Sequence, residues 1–309
     1  MTKKSLIIGF GSIGKRHFDV LSAMGDEVSI VSRHVERLEK TPVFRSIPEA
    51  FSENNYDYIV IANATQDHSA TLKDVMPHLS EESVCFIEKP LFSSISQYVD
   101  WGNKKIVSGY VLRAHPLLRK MRNILSDKKL YSCRASCGQY LPTWRPGTDY
   151  TKCYSALKHK GGGVLRDLSH ELDYMQMLCG SWKKATAIGG HFSNLEITSD
   201  DQYGILFETE NCPLCICQID YLARDVHRDI FVEYEGGSLH LDFVAGKLVH
   251  NGSIESISLE RNDLFRTMHK ELQNYDLTYF SNAHNAYEVL KFIDAVEKAA
   301  ERNVWIDNR

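Results

Sequence analysis

The chain has 309 residues, a net charge of −4 and 43% hydrophobic residues, which suits a water-soluble protein of two domains, each with its own core. This charge excludes a general attraction to nucleic acid or to anionic membranes, and no apolar run is long enough to cross a bilayer. The eight cysteines are scattered, and no export signal precedes the first apolar run. We therefore expect reduced thiols and a cytoplasmic location.

The first pattern along the chain is an apolar run at residues 6–8, then the sequence GFGSIG at 9–14 and an amphipathic segment at 15–24. Strand, glycine turn and helix in this order predict a dinucleotide site. The first glycine permits a tight turn, the second lets the backbone approach a pyrophosphate, and the third lets the helix pack on the strand. The helix start offers N–H groups to the phosphates. A glycine turn without a ligand is the alternative. The expected phosphate-binding residues are Gly9, Gly11, Ser12, Ile13 and Gly14.

The second apolar run, at 27–31, ends in Ser32 and Arg33 rather than in an acidic residue. A carboxylate there would bind the ribose of NAD, whereas a hydroxyl and a guanidinium suit the 2′-phosphate of NADP. The sequence therefore predicts that NADP(H) is preferred and that NAD(H) is possible. The alternative is that Arg33 is a solvated loop residue.

Strands and helices continue to alternate through the first third of the chain. Runs at 58–62, 83–87 and 106–111 predict further strands, and 69–79 and 116–125 predict helices. Continuous apolar strands separated by helices indicate a doubly wound parallel sheet.

The remainder of the chain favours a second domain built on an antiparallel sheet, because its connections are too short for parallel crossovers. We expect a dinucleotide-binding domain at 1–118 and a substrate-binding and oligomerisation domain at 119–309. Helices are predicted at 165–178, 264–275 and 285–302. The strand candidates are 131–140, 185–192, 203–209, 214–221, 230–234 and 238–243.

Cys212, Cys215 and Cys217 are close enough in sequence to suggest a metal site. The segment 213–219 instead predicts a strand with small hydrophobic residues on one face. No CxxC pair or matching histidine pair completes four zinc ligands, so we expect no metal.

Four further motifs follow the glycine turn in order: VIANATQDH at 60–68, EKP at 88–90, GYVLRAHP at 109–116 and GGGVLRDLSHELD at 161–173. Together they resemble the glucose-fructose oxidoreductase / inositol dehydrogenase (Gfo/Idh/MocA) family, through most of the chain. The resemblance implies an N-terminal Rossmann domain and a C-terminal domain with a large, mostly antiparallel open sheet. It also implies reversible hydride transfer, without metal, between a nicotinamide and a sugar or polyol carbon.

Lys89 follows a predicted strand end, where open parallel sheets place ligand sites, and it resembles the family's active-site lysine. A lysine there would move the alcohol proton and stabilise alkoxide charge. His170 is the expected acid/base, and Asp167 would orient it or bind a substrate hydroxyl. Asp167, His170 and Asp173 are spaced to share roughly one helix face, behind glycines that let a ligand approach the backbone.

The sequence departs from the family pattern at three places. Only two residues separate Asp167 from His170, where three are usual, so Asp167 could act through His170 rather than on the substrate. Asn63 and Ala64 replace the common Thr-Pro, and Val111 removes an amide often found near the site. Further residues expected to contact the cofactor are Asn63, His68, Glu88 and Lys89.

The segment 140–154 is rich in aromatic and basic side chains. Trp144 would stack on the apolar face of a sugar, and Arg145 and Lys152 would hold a carboxylate or phosphate. This favours an anionic sugar, nucleotide-linked or a sugar acid, of the kind used in surface polysaccharide synthesis, over a loop that only packs Trp144. The expected substrate-binding residues are Lys89, Arg113, Trp144, Arg145, Tyr154, Asp167 and His170.

The expected partner is a small sugar-like substrate, and the second sheet is expected to build a homodimer or homotetramer. Two other functions stay open. One is a regulator that binds a dinucleotide without turnover, which the presence of both Lys89 and His170 disfavours. The other is a reductase of a non-sugar imine or unsaturated ring.

Overall fold

A computed structural model describes residues 3–308, so Met1, Thr2 and Arg309, which fall within the expected domains, lie outside the described residues. The chain divides into two compact units. The N-terminal unit comprises the residues up to Ala114 together with Glu260–Tyr287. The C-terminal unit comprises His115–Leu259 and the residues from Glu288 onward.

Most helices lie in predicted segments, whereas the helix at 47–53 was not predicted. None of the helices within residues 3–308 is long and apolar enough to cross a bilayer. They are α1 (Ser12–Ala23), α2 (Ile47–Glu53), α3 (His68–Val75), α4 (Pro116–Leu125), α5 (Val164–Asp167), α6 (His170–Cys179), α7 (Asp263–Gln273) and α8 (Ala283–Arg302).

The strands of the described residues form two sheets. They are β1 (Lys4–Ile8), β2 (Glu27–Val31), β3 (Val43–Phe44), β4 (Tyr58–Ile61), β5 (Val84–Ile87), β6 (Lys105–Ser108), β7 (Leu130–Gly138), β8 (Trp182–Gly190), β9 (Gln202–Thr209), β10 (Cys215–Asp220), β11 (His227–Tyr234), β12 (Gly237–Asp242), β13 (Lys247–His250), β14 (Ser253–Ser256), β15 (Ser281–Asn282) and β16 (Ile306–Asp307).

The N-terminal unit is the predicted doubly wound sheet, with strand order β15-β6-β5-β4-β1-β2-β3. All pairs are parallel except the edge pair of β15 with β6. Every residue of β4 and β5 is buried, as expected when helices cover both faces of a parallel sheet. The fold class read from the sequence is confirmed for this unit.

A late segment of the chain returns to the N-terminal unit. Phe265, Met268 and Leu272 of α7 pack in the same buried cluster as Ile7 and Val60, because the apolar face of this amphipathic helix needs cover. The expected single boundary after residue 118 does not include this return.

The C-terminal unit is built on a nine-stranded sheet of order β14-β13-β12-β11-β7-β10-β9-β8-β16. Its pairs are antiparallel except β7 with β10, which are parallel. The sequence argument against parallel pairing failed here because the long stretch 139–214, rather than a short crossover, joins these two strands. The hairpin β13–β14 was also not predicted, since its strands are short and β14 is fully exposed.

The helix predicted over 165–178 is two helices. α5 ends at Asp167 and α6 begins at His170, with Leu168 at φ −97° and ψ 28° between them. The proposed sharing of one helix face by Asp167, His170 and Asp173 is therefore wrong, because no continuous helix carries all three. Asp173 is buried, at 1% exposed.

Candidate active site

The glycine turn after β1 is shaped by close backbone contacts. Gly9 has φ +98°, and a Cβ there would lie 2.5 Å from the backbone nitrogen of Asn63. A Cβ at Gly14 would lie 2.2 Å from the carbonyl oxygen of Gly9. Gly11 differs, since a Cβ there would meet no atom within 4 Å. The first and third glycines are thus needed by the protein itself, whereas the second faces open space.

The N-terminus of α1 opens at this turn. Gly11 caps the helix with extended backbone and no side-chain hydrogen bond, and the first turn has no acidic residue. The first N–H groups of a helix have no acceptor within it, and the helix dipole makes this end positive. Open space, free N–H donors and a positive end fit the pyrophosphate of a dinucleotide.

Asn63 lies beside this turn and supports the same fit. Its Nδ2 donates to Oγ1 of Thr71 at 2.7 Å. Its Oδ1 is buried and has no hydrogen-bond partner within residues 3–308. Buried polar atoms are rarely left unpaired, so this oxygen is suited to accept a bond from a bound molecule.

His68, expected to contact the cofactor, is 1% exposed and directed at backbone carbonyls. Its Nδ1 is 3.2 Å from the carbonyl oxygens of Pro90 and Leu91, and its Nε2 is 3.3 Å from that of Asn63. Burial lowers the pKa of His68. The neutral ring donates from one of its two nitrogens, and it lies between the loop after β4 and the segment that follows Lys89.

The loop after β2 is ordered by side chains that leave Arg33 exposed. Oγ of Ser32 accepts the N–H groups of His34 and Val35, both at 3.2 Å. Arg45 donates from Nη1 to the carbonyl oxygens of Arg33 and Val35, both at 3.3 Å. Arg45 was not singled out in the sequence, because only the pairing of β3 with β2 brings it to this loop.

Lys89 follows β5 and is held by its neighbour Glu88. Oε2 of Glu88 accepts the backbone N–H of Lys89 at 3.1 Å, and Oε1 lies 2.9 Å from Nε2 of His17. The contacts continue inward: Nδ1 of His17 is 2.9 Å from Nε2 of His269, and Nδ1 of His269 is 2.9 Å from the hydroxyl of Tyr58. We call Glu88, His17, His269 and Tyr58 the buried relay.

With both rings of the buried relay neutral, one arrangement of protons satisfies every contact. Nε2 of His17 donates to the carboxylate of Glu88, and Nδ1 of His17 accepts from Nε2 of His269. Nδ1 of His269 accepts from the Tyr58 hydroxyl. Burial lowers the pKa of His269 and raises that of Tyr58, which keeps both neutral. Every polar atom of these rings is thus satisfied, and the relay fixes the carboxylate that positions Lys89.

In the C-terminal unit, Asp167 has a partner that the sequence did not reveal. The hydroxyl of Tyr221 donates to Oδ2 of Asp167 at 2.7 Å. Burial, followed by the nearby charge of Asp167, raises the pKa of Tyr221, so it remains a donor. The ring of Tyr221 meets the edge of Trp144 at a centroid distance of 5.1 Å, and Nε1 of Trp144 donates to the carbonyl oxygen of Gln139 at 3.1 Å.

Two of the three glycines before α5, Gly162 and Gly163, make room for the protein's own atoms. A Cβ at Gly162 would lie 2.0 Å from the carbonyl oxygen of Tyr154. Gly163 has φ +130°, and a Cβ there would lie 2.3 Å from Oδ1 of Asp200. The hydroxyl of Tyr154 donates to the carbonyl oxygen of Gly161 at 2.5 Å. The expectation that these glycines let a ligand approach the backbone is corrected, since the chain fills that space.

The remaining predicted residues have different surroundings. His170 is half-buried at the first position of α6. Trp144 and Arg145 line a pocket with Thr148, Tyr150 and Ser155. Arg113, expected to bind substrate, is 6% exposed in the N-terminal unit, with Nη1 3.5 Å from the carbonyl oxygen of Tyr279.

Two family models match the chain. Residues 3–103 match a model described as an oxidoreductase family with an NAD-binding Rossmann fold. Residues 118–240 match the GFO/IDH/MocA C-terminal domain. The chain belongs to the Gfo/Idh/MocA oxidoreductase family. The predicted family resemblance is confirmed, and with it the two-part fold.

Solved structures of other proteins share this fold over nearly the whole length. A levoglucosan dehydrogenase in complex with NADH has a TM-score of 0.85 at 14% identity, and 99% of each chain is covered. The WlbA dehydrogenase from Bordetella pertussis, in complex with NADH and UDP-GlcNAcA, has a TM-score of 0.81 at 15% identity, with coverage of 100% of this chain and 98% of that one. A myo-inositol dehydrogenase from Corynebacterium glutamicum has 0.79 at 18% identity, with coverage of 100% and 99%. No curated protein sequence matches the chain.

Proposed function

We propose that this member of the Gfo/Idh/MocA family is an NAD(P)-dependent dehydrogenase that transfers a hydride between the nicotinamide and a hydroxyl-bearing carbon of a sugar-like substrate. The observation that carries the proposal is the open space at Gly11 together with the unsatisfied Oδ1 of Asn63, whose backbone lies against Gly9 of the same turn. Lys89, held by Glu88 in the same unit, supports it. The three structural relatives described above are dehydrogenases by name.

The side chains of this protein would manage the proton and the charge. When bound, the nicotinamide supplies the hydride acceptor or donor. Lys89 stabilises the developing alkoxide on the reacting oxygen, since its backbone is fixed by the carboxylate of Glu88. His170 carries the alcohol proton as general base or acid. Asp167, oriented by the hydroxyl of Tyr221, accepts a bond from a substrate hydroxyl.

NADP(H) is the proposed preferred cofactor, and NAD(H) is a possible one. Ser32 and Arg45 order the loop after β2, and no acidic residue replaces Ser32 or Arg33 at the expected ribose position. Exposed Arg33 then offers a guanidinium to a 2′-phosphate. Two of the relatives reported above, the levoglucosan dehydrogenase and WlbA, are in complex with NADH.

The proposed substrate is an anionic sugar derivative, nucleotide-linked or a sugar acid. Trp144 and Arg145 line the same pocket, which therefore has both an aromatic ring and a permanently charged guanidinium. Lys152 nearby is exposed and pairs with Asp149 at 3.0 Å. The WlbA structure contains UDP-GlcNAcA, a nucleotide-linked sugar acid.

A homodimer or homotetramer is proposed from the outer face of the large sheet. Ile216 pairs in register with Leu206, and these side chains are 45% and 37% exposed. Ile188 on β8 is 76% exposed on the same face. Contiguous apolar surface of this kind favours a subunit interface, and light scattering at micromolar concentration would test it.

The test of the proposed activity is a turnover assay with NADPH and NADH against ketosugars, sugar acids and nucleotide sugars, followed by cofactor absorbance in both directions. Oxidation of a sugar hydroxyl, or reduction of the matching ketone, is expected. Cofactor binding without turnover would support the regulator instead, and turnover confined to cyclic imines would support the imine reductase.

A further inference from the structure

Four cysteines that are far apart in sequence meet inside the C-terminal unit. Cys133 lies on β7, Cys179 ends α6, Cys212 precedes β10 and Cys215 begins it. None of the four is more than 1% exposed. We call them the cysteine cluster.

Three sulfur atoms of the cysteine cluster lie close together, and the fourth cysteine is on an adjacent strand. The Sγ atoms of Cys179, Cys212 and Cys215 all lie within 4.8 Å of one another. Cys133 lies on the neighbouring strand, outside this group of three. Cys133 and Cys215 are also directly paired in the parallel ladder. A tetrahedral zinc with Zn–S bonds of about 2.3 Å holds its four sulfurs about 3.8 Å apart, so Cys133 has to approach the other three to complete the set.

The backbone that carries these thiols is held by one buried hydroxyl. Oγ1 of Thr209 donates to the carbonyl oxygen of Cys179 at 2.8 Å and accepts the N–H of Cys212 at 3.1 Å. The N–H of Asn211 donates to the same Cys179 carbonyl at 3.0 Å. The end of α6 and the turn that carries Cys212 are therefore fixed to each other before any ligand is considered.

Single buried cysteines are usually small hydrophobic residues, but this group has a different character. Cys212 and Cys215 are spaced C-x-x-C, which supplies two adjacent ligands from one turn. Thiols are weak hydrogen-bond donors and acceptors, so four of them satisfy one another poorly. The sequence argument missed the site because Cys133 and Cys179 carry no local motif. It also grouped Cys217 with Cys215, whereas Cys217 lies outside the cluster.

We propose that Cys133, Cys179, Cys212 and Cys215 bind one zinc ion as a tetrathiolate. Each thiol releases its proton to solvent as its sulfur bonds the metal, and zinc undergoes no redox change. The ion would cross-link β7, α6 and the start of β10. Because α6 begins at His170 and ends at Cys179, the metal would also fix the helix that presents His170. Binding of the ion does not itself require the proposed hydride transfer.

The test is the metal content of the full-length protein purified under reducing conditions from zinc-supplemented cells. About one zinc per chain is expected by elemental mass spectrometry, released when a mercurial reagent blocks the thiols. The double variant C212S/C215S is expected to retain less than about a tenth of that zinc. Cys137→Ala and Cys217→Ala are matched controls, because they alter buried cysteines of the same two strands and should retain zinc.

A second measurement keeps the proposal testable if the double variant fails to fold. Wild-type protein stripped of metal is titrated with Co²⁺, and thiolate-to-cobalt charge-transfer bands with tetrahedral d–d bands are expected. The proposal would be overturned if purified wild-type protein contains no zinc and shows none of these bands with Co²⁺. So would zinc that remains in a folded C212S/C215S variant, or a disulfide among these cysteines found by mass spectrometry after alkylation of the freshly lysed cells.

Discussion

The two units contain glycine-rich turns that look alike in sequence and differ in what surrounds them. In the N-terminal unit, a Cβ at Gly11 would meet no atom within 4 Å, at the start of a helix with open N–H groups. In the C-terminal unit, the corresponding space at Gly162 and Gly163 is filled by Tyr154 and Asp200. A glycine motif therefore shows only that a side chain is excluded. The neighbouring atoms decide whether a ligand or the chain itself takes the space.

The largest predicted effect concerns Lys89 and His170, the two residues proposed to act in the chemical step. Lys89→Met and His170→Ala should each lower kcat by about 10²–10⁴-fold, because each removes a group that moves a proton or stabilises charge. Dinucleotide binding should remain. The double variant should lose less than the product of the single losses if both act on one proton path.

Steady-state kinetics and a cofactor titration check this prediction. Lys73→Met and His284→Ala are matched controls, since both side chains are exposed and should leave kcat unchanged. Near-normal turnover by His170→Ala would move the proton carrier elsewhere, with Asp167 and Tyr154 as the next candidates.

Much of the fold was predictable from the sequence because its signals are local. Continuous apolar runs predicted β4 and β5, and apolar residues at helical spacing predicted α7 and α8. The break between α5 and α6 was not predictable, since Leu168 and Ser169 are compatible with a helix. The glycine turn and Lys89 were found through motifs with near neighbours. The buried relay, Tyr221 and the cysteine cluster were missed because their members meet only through tertiary packing.

Each unit buries a histidine, and the surroundings of the two rings differ. In the C-terminal unit, His115 is 3% exposed, its Nδ1 has no partner within residues 3–308, and burial lowers its pKa to about 4. His269 in the buried relay has both ring nitrogens bonded. His115 is neutral in both folded and unfolded states above its ordinary pKa of about 6.5. Below that pH the unfolded chain takes up the proton first, so stability falls as pH drops toward 4, by up to about 3 kcal/mol.

Replacing His115 with glutamine should remove this part of the acid destabilisation. Urea unfolding of both proteins between pH 7 and pH 4 measures this effect. The free energy of unfolding of the wild type, minus that of His115→Gln, should fall as the pH falls. Parallel curves would show that His115 is not the group responsible.

The proposed preference for NADPH over NADH can be tested by one substitution in the N-terminal unit. Arg33→Ala should weaken NADPH binding by about 1.5–3 kcal/mol, the scale of a charged hydrogen bond, and leave NADH binding nearly unchanged. Arg37→Ala is the matched control, because Arg37 is also exposed in the following loop. Fluorescence titration provides the affinities, and tighter binding of NADH than NADPH by the wild type would overturn the proposed preference.

The difference between the two glycine turns can be tested by measuring the stability of alanine variants. Gly162→Ala should lower the free energy of unfolding by about 1–3 kcal/mol, because the new methyl group meets the carbonyl oxygen of Tyr154. Gly11→Ala should cost less than about 1 kcal/mol, the difference between these residues at a helix N-cap. Thermal unfolding of the two variants would decide, and equal losses would remove the distinction drawn between the turns.

The most direct test of the account is the affinity of the Gly11→Ala variant for NADPH and NADH, measured by titration beside the wild type. If the open space at Gly11 is where the pyrophosphate binds, the methyl group should weaken both cofactors by at least about tenfold, or about 1.4 kcal/mol, in a protein that unfolds at nearly the wild-type temperature. Unchanged affinity in a folded variant would contradict the placement of the dinucleotide at this turn.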